Sequence, residues 1–187
     1  VPHGVHIASY RATPGDQVLV SGFVGDHGAA IVDARGELHL DIPVQSDCQP
    51  LNGLMQVMLE ACPDLHCVRD ATRGGLATVL NEFASDSGVC LGLEESRIPV
   101  REVVRGVCEL LGLDPLYLAN EGTLAAIVPG DATEQVLEAM RRHPAGREAC
   151  RIGEVREAPG QTVLLRTPFG TERVLDVLYG DQLPRIC

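Results

Sequence analysis

The last residue of the chain, Cys187, is the first place where the sequence offers chemistry. It ends the segment GDQLPRIC, which has a glycine, a proline and no periodic pattern, so we expect residues 179–187 to form a flexible tail. A thiol on the arm from Gly180 to Cys187 could reach on the order of 27 Å, at about 3.4 Å per residue. This suits a carrier that visits more than one site. An idle terminus that happens to end in cysteine is the alternative, and composition by itself favours it.

The stretch RDATRGGLATVLNE is a second candidate site. It places Asp70 at the end of a predicted strand and Thr72, Arg73, Gly74 and Gly75 at a predicted helix start. Backbone N–H groups, the helix dipole and a guanidinium could there bind an anion or a polarised amide. The alternative is a structural turn whose glycines allow close packing. The motif does not decide between them, because it has neither a lysine nor the full phosphate-loop spacing.

Two further stretches carry polar side chains beside strands. In SGFVGDHG, Asp26 and His27 follow a strand, and His27 could exchange a proton with a substrate or merely cap the next helix. In YLANEGTL, Asn120 and Glu121 precede a strand. Glu121 is a candidate general base, especially if burial raises its pKa; a solvated loop glutamate is the alternative.

The stretch QSDCQPLNG adds a fourth polar cluster. It contains Asp47 and Cys48, to which the sequence assigns no purpose.

Composition excludes several classes of function. The 187 residues carry 26 acidic against 15 basic side chains, a net charge of −11, which argues against a nucleic-acid partner. All the basic residues are arginine, so the chain supplies no phosphate-binding lysine. No apolar run approaches the ~20 residues that a membrane helix requires.

The seven cysteines indicate the compartment. They form no CxxC pair, which argues against zinc and disulfides and predicts the reducing cytoplasm. Cys62, Cys90 and Cys108 lie among apolar neighbours and are predicted to be core residues.

The elements that must position these residues follow from periodicity. Strands are predicted at 17–23, 66–70, 89–95, 123–129, 151–155, 162–167 and 172–178. Helices are predicted at about 26–35, 53–62, 73–87, 100–111 and 132–142. Because the last three strands follow one another while the others alternate with helices, we expect an α+β fold with a mixed sheet and packed helices.

The helix ends carry their own predictions. Asn52 and Thr72 are expected to cap the second and third helices, and Gly88 to end the third. Asp131 and Glu134 are expected to form a capping box. Leu111 is expected to be buried on the fourth helix.

Taken together, SGFVGDHG, SDCQPLNG, RDATRGGLATVLNE, LYLANEGTL and PRIC resemble, in order and spacing, the C-terminal part of the HypE family of hydrogenase maturation factors. The likeness runs over nearly all of the chain. That family belongs to the ATP-using superfamily of aminoimidazole ribonucleotide synthetase, selenophosphate synthetase and thiamine-monophosphate kinase. The resemblance implies a PurM C-terminal-domain-like fold for residues 16–178, with 1–15 the end of an upstream ATP-binding domain and 179–187 the tail.

The resemblance also implies an activity, that of an ATP-dependent carbamoyl dehydratase. In HypE the terminal cysteine receives a carbamoyl group from HypF and is dehydrated to a thiocyanate. The cyanide then passes to iron held by HypC and HypD and becomes a ligand of the [NiFe]-hydrogenase centre. Carried onto this chain, Cys187 is the acceptor and Glu121 the base. The pocket that the tail enters is formed by Asp26, His27, Asp70, Thr72, Arg73, Gly74, Gly75 and Asn120.

The resemblance assigns ATP and Mg²⁺ mainly to the upstream domain. Residues 1–187 alone are therefore expected to bind no cofactor, to supply no metal ligands and to have little activity. The full-length protein is expected to be a cytoplasmic homodimer.

Two alternatives stay open. One is another ATP-using member of the superfamily, such as a selenophosphate synthetase relative, with Cys187 incidental. The other is a non-catalytic binding module whose tail docks into a partner.

Overall fold

A mixed β-sheet forms the centre of the structure. The computed structural model describes residues 4–36, 44–157 and 160–178. The strands within these residues are β1 (Gln17–Val20), β2 (Cys67–Asp70), β3 (Cys90–Glu94), β4 (Leu124–Val128), β5 (Cys150–Arg156), β6 (Thr162–Arg166) and β7 (Glu172–Val174). Their order in the sheet is β2-β4-β1-β5-β3-β6-β7. The β3–β6 pair is parallel and the other neighbours are antiparallel, so the predicted α+β class with a mixed sheet is confirmed.

Helices cover the sheet. They are α1 (Asp26–Ala34), α2 (Asn52–Ala61), α3 (Gly75–Ser87), α4 (Glu102–Leu111) and α5 (Thr133–Arg142). Short 3₁₀ turns lie at Glu95–Arg97, Pro115–Tyr117, Gly130–Ala132 and Pro144–Gly146.

Each face of β1 packs into a different core. Val18 belongs to the core formed with Phe83 and other residues of α3, whereas Leu19 belongs to the core formed with α2 and α5, which includes Met58 and Met140. Successive side chains of a strand point to opposite faces, so a strand covered on both sides reads as an unbroken apolar run. This explains the sequences VLV in β1 and LAAIV in β4. A third cluster joins α1 to α4.

The predicted helix starts are partly wrong. Helix α3 begins at Gly75 after a left-handed Gly74, and the hydroxyl of Thr72 donates to Asp70 Oδ2 at 2.9 Å instead of capping the helix. Helix α2 includes Asn52 as its first residue, and Leu51 occupies the cap position. For α3 the reason is a close approach between distant segments. A Cβ at Gly75 would lie 2.5 Å from the carbonyl oxygen of Leu116, and this contact sets the path of the chain into the helix.

The capping box and one core position are also wrong. Asp131 lies in a 3₁₀ turn and Ala132 caps α5 without a side-chain hydrogen bond. Leu111 is 36% exposed at the end of α4. In contrast, Gly88 ends α3 with a φ of 71°, as predicted.

Candidate functional site

The side chain of Asn120 ties three of the sequence motifs together. It is fully buried, and its Oδ1 accepts the N–H of Gly25 at 2.7 Å. Its Nδ2 donates to the carbonyls of Ala71 at 2.9 Å and Leu118 at 3.1 Å. Asn120 therefore holds the start of α1 and the β2–α3 loop against its own loop. The sequence predicts Asn120 as a pocket residue, and the structure gives its side chain contacts within the protein.

The carboxylate of Asp47 fixes the loop that carries Glu121. Its Oδ1 accepts the N–H of Glu121 at 2.9 Å and its Oδ2 accepts the N–H of Gly122 at 3.0 Å. Gln49 adds a hydrogen bond from its Nε2 to the carbonyl of Gly122 at 3.0 Å. Gly122 has no room for a side chain, because a Cβ there would lie 1.8 Å from the carbonyl oxygen of Asp47. The stretch QSDCQPLNG, to which the sequence assigns no purpose, thus holds the backbone of Glu121 in place.

The side chain of Glu121 is solvent-exposed. It has no hydrogen-bond partner among the described residues. In the sequence-based prediction, burial would favour Glu121 as a general base. The described residues do not bury its side chain.

A cavity of about 510 Å³ lies beside this loop. Its wall includes Ser21, Phe23, Asp26, Asp47, Arg101 and Thr123. These residues come from the β1–α1 loop, the segment before α2, the start of α4 and the segment before β4. The cavity is therefore assembled from segments far apart in the sequence.

Asp26 is the buried carboxyl group in this wall. It is 3% exposed, and its Oδ2 accepts a hydrogen bond from Arg101 Nε at 2.9 Å. Its Oδ1 is buried and has no hydrogen-bond partner within the described part of the chain. Burial raises the pKa of Asp26, and the hydrogen bond and charge of Arg101 oppose that rise. The guanidinium of Arg101 also lies 3.9 Å from the ring centroid of Phe23.

His27 contacts the segment before α2. Its Nδ1 lies 2.9 Å from the hydroxyl oxygen of Ser46. Ser46 lines the cavity and His27 does not, so His27 touches a wall residue without being part of the wall.

The β2–α3 loop lies next to the cavity without lining it. The N–H of Ala71 donates to the carbonyl of Thr123 at 2.9 Å, which places the loop directly behind that wall residue. Asp70 and Thr72 bond to each other, and Arg73 is exposed with no partner among the described residues. The glycines Gly74 and Gly75 have φ of 73° and 64°. Asp26 therefore lines the cavity together with Asp47 and Thr123, which flank the Glu121 loop, whereas Glu121 itself does not line it. In the RGG loop Arg73 is exposed and Gly75 is buried.

Thiol chemistry is confined to few places. Cys62, Cys90 and Cys108 are buried, as predicted, and burial raises the pKa of Cys67 and Cys108 to about 11. Such thiols are poor nucleophiles. Cys48 is the exposed cysteine of the described residues, whereas Cys187 lies outside them, as does the whole predicted tail.

The described part of the chain offers no cluster of metal ligands. Residues 4–36, 44–157 and 160–178 contain no group of three or more histidine, cysteine, aspartate or glutamate side chains placed to hold an ion.

Comparison with known proteins identifies the family. The sequence model of the family described as AIR synthase related protein, C-terminal domain, matches residues 13–166. The chain belongs to this family. Carbamoyl dehydratase HypE of Azotobacter vinelandii is 53% identical over 187 residues, which covers 100% of this chain and 55% of that protein. The resemblance to HypE and the PurM-like fold are confirmed.

Solved structures agree. Hydrogenase maturation protein HypE in complex with ATP superposes with a TM-score of 0.89 at 43% identity, over 96% of this chain and 55% of that one. A HypE–HypF complex contains a chain with a TM-score of 0.88 at 42% identity, over 92% of this chain and 56% of that one. The chain spans about half the length of the curated relatives it matches.

Proposed function

We propose that the chain forms the C-terminal part of an ATP-dependent carbamoyl dehydratase of the HypE type, acting in [NiFe]-hydrogenase maturation. The observation that carries this proposal is the fixed Glu121 loop. Asp47 accepts the N–H groups of Glu121 and Gly122 at the edge of a cavity, in a chain 53% identical to a carbamoyl dehydratase along its whole length.

In this proposal Cys187 carries the carbamoyl group and Glu121 removes a proton from its nitrogen. Dehydration converts S–C(=O)NH₂ to S–C≡N: the nitrogen loses two protons, and the amide oxygen, once phosphorylated by ATP, leaves as inorganic phosphate together with ADP. ATP supplies the phosphoryl group that turns the amide oxygen into a leaving group. Glu121 is exposed and has no partner among the residues that the structure describes, so its carboxylate is available to a substrate brought by the tail.

The residues of this chain fit only one edge of a nucleotide site. Arg73 is exposed just before α3, whereas Gly75 is buried and its N–H donates to the carbonyl of Thr72 at 3.2 Å. The guanidinium of Arg73 is therefore the group at this edge that suits a phosphate. The chain has no lysine, and Mg²⁺ ligands and most of the ATP site are assigned to a domain upstream of residue 16.

Residues 1–15 are proposed to join that domain. The described part of this segment packs firmly, because the N–H of Ala8 donates to the carbonyl of His66 and the N–H of Ala12 donates to Ser87 Oγ, each at 3.0 Å. Residues 179–187, which lie outside the described residues, are proposed to carry Cys187 as the acceptor.

HypF is the proposed carbamoyl donor, supported by the HypE–HypF complex to which this chain is similar. The HypC–HypD complex is the proposed cyanide acceptor, and the whole protein is proposed to be a cytoplasmic homodimer. In the described residues, no helix is long and apolar enough to cross a membrane.

The test is a fusion of residues 1–187 to the N-terminal half of the Azotobacter vinelandii relative. With HypF, its carbamoyl donor and ATP, intact mass should show one carbamoyl group added and then the ATP-dependent loss of one water. Cys187→Ala should abolish the addition, and Cys48→Ala is the matched control that should retain it.

An adduct that survives Cys187→Ala, or none in the unaltered fusion, contradicts the proposal. A tail that stays unmodified yet binds a partner supports the binding module instead. ATP turnover by residues 1–187 alone would contradict the assignment of the nucleotide site to another domain.

A further inference from the structure

The candidate base Glu121 lies on a loop that has no regular secondary structure of its own. Residues 119–123 are neither helix nor strand, and the Glu121 side chain is exposed, with no hydrogen-bond partner in the described part of the chain. A general base must lie within about 2.6–3.2 Å of the proton that it removes. The accuracy with which Glu121 meets a substrate therefore depends on the groups that hold its backbone.

The Asp47 carboxylate holds that backbone at two consecutive residues. Its Oδ1 accepts the N–H of Glu121 at 2.9 Å, and its Oδ2 accepts the N–H of Gly122 at 3.0 Å. Among the described residues, this carboxylate has no other hydrogen-bond partner and no ion pair. Both of its oxygens therefore serve the Glu121 loop, through hydrogen bonds to an ionised acceptor, which are roughly twice as strong as neutral ones.

Asp47 is itself held from both sides. The hydroxyl oxygen of Ser46 accepts the N–H of Cys48 at 3.1 Å and lies 2.9 Å from His27 Nδ1, so a closed turn around Asp47 is tied to the first turn of α1. On the opposite side the two loops touch, because a Cβ at Gly122 would lie 1.8 Å from the carbonyl oxygen of Asp47. The carboxylate is thus a fixed reference point for Glu121.

We propose that Asp47 is a positioning residue for the dehydration step, acting on the reaction only through the backbone of Glu121. The proposal rests on the proposed function, which makes Glu121 the base. When the two hydrogen bonds are weakened, Glu121 keeps its carboxylate but loses its fixed position. A misplacement on the order of 1 Å can cost about 10²-fold in rate. A loop contact that serves stability alone would leave the rate unchanged.

The first test separates the two steps of the reaction in the fusion protein. Asp47→Asn keeps the size of the side chain and one acceptor, but removes the charge and the second acceptor. Addition of the carbamoyl group to Cys187 by HypF should be unchanged, because that step does not use Glu121. The ATP-dependent dehydration should be slowed by about 10–100-fold. Intact mass against time measures both steps, and an unchanged rate of dehydration overturns the proposal.

A double variant tests whether Asp47 acts through Glu121. Asp47→Asn combined with Glu121→Gln should dehydrate no more slowly than Glu121→Gln alone, because no base is left to be misplaced. If the second substitution slows the reaction by a further tenfold or more, Asp47 affects the reaction by another route and the proposal is wrong.

Asp16→Asn is the matched control. It removes the same charge from a carboxylate that also accepts a backbone N–H, that of Thr13 at 2.8 Å, but at the other end of β1. This variant should lose stability without slowing dehydration, so a general loss of stability does not imitate the expected result. If Asp16→Asn slows dehydration as much as Asp47→Asn does, the effect is not specific to the Glu121 loop and the proposal falls.

NMR of residues 1–187 tests the contact itself, without ATP or HypF. The amide proton resonances of Glu121 and Gly122 should both move upfield in Asp47→Asn, because their hydrogen bonds lose an ionised acceptor. They should stay in place in Glu121→Gln, whose backbone contacts are intact. Resonances that do not respond to Asp47→Asn overturn the proposal.

The unaltered fusion distinguishes failure of the proposal from failure of the function. If it forms no thiocyanate, the proposed function is refuted, and the role of Asp47 in that reaction with it. If it forms thiocyanate and Asp47→Asn does so at the same rate, the role of Asp47 is refuted and the function stands.

Discussion

β1 has a buried aspartate near each end, and the two are partnered differently. At the start, Asp16 Oδ2 accepts the N–H of Thr13 at 2.8 Å and its hydroxyl at 3.2 Å, and lies 2.7 Å from His66 Nδ1. After the other end, Asp26 has Arg101 as its hydrogen-bond partner and one buried oxygen without a partner among the described residues. All three contacts of Asp16 go to its Oδ2, so the fold stabilises that carboxylate more than it stabilises Asp26.

The largest effect is expected at Glu121, on the loop that Asn120 joins to Gly25 near the Asp26 end of β1, and without a change in folding. Glu121→Gln should slow dehydration in the fusion protein by about 10²–10⁴-fold, because the amide cannot take up the proton. The unfolding midpoint of the variant should not change, since the side chain is exposed and makes no hydrogen bond to residues 4–36, 44–157 or 160–178. Rates from intact mass against time, with Glu134→Gln on α5 as the control, measure this. A rate that is unchanged would remove Glu121 from the site.

Asp16, at the start of β1, should show the opposite behaviour: a loss of stability without a loss of activity. Asp16→Ala should lower the free energy of unfolding by about 2–4 kcal/mol, because three hydrogen bonds to a buried charged acceptor are lost. Dehydration by the fusion protein should be unaffected. Urea unfolding and the rate of dehydration from intact mass together check the prediction. A stable Asp16→Ala variant with slowed dehydration would reverse the roles of the two ends.

Asn120 sharpens the comparison. It lies near the Asp26 end of β1, but both polar atoms of its side chain have hydrogen-bond partners. Asn120→Ala should cost about 2 kcal/mol, because the buried N–H of Gly25 loses its acceptor and the carbonyls of Ala71 and Leu118 lose the amide donor of Asn120. The amide proton of Gly25 should exchange with solvent faster than in the unaltered protein. Unchanged exchange at Gly25 would show that Asn120 does not hold the motifs together.

The smallest effect is the pH dependence of Asp26. Burial raises its pKa in the folded protein, with Arg101 opposing and Asp47 adding to the rise. The folded state then binds the proton more tightly than the unfolded state, so stability is present below the ordinary value of 3.8 and is lost as the pH rises through the raised value.

Relative to Asp26→Asn, the unaltered protein should therefore lose stability from acid toward neutral pH. Chemical unfolding of both proteins at several pH values measures the difference. A difference that grows in the other direction would mean that the Arg101 pair outweighs burial.

Much of the fold could be predicted because its signals are local. Apolar spacing in α3 brings Leu76, Leu80 and Phe83 to one side, and these residues are buried as expected. The helix starts were less predictable. Whether Thr72 or Gly74 caps α3 depends on the contact of Gly75 with the distant Leu116, which no local pattern contains.

The candidate site was predicted in its motifs but not in its contacts. The stretch SDCQPLNG was visible, yet nothing local shows that Asp47 accepts two N–H groups 74 and 75 residues away. A short acidic side chain beside a glycine-rich partner loop is the available signal, and it is too common to be decisive. The sequence likewise does not distinguish the saturated Asn120 from the open Asp26.

Residue order alone determined the element types, the acidic and lysine-free character and the motifs that place the chain among HypE-like sequences, because these depend on neighbours in the chain. The tertiary structure decided that β3 lies between β5 and β6, that Asn120 joins three loops, and that Asp26 keeps one oxygen free. Strand pairing and burial are contacts between distant segments, so they exist only once the sheet has formed.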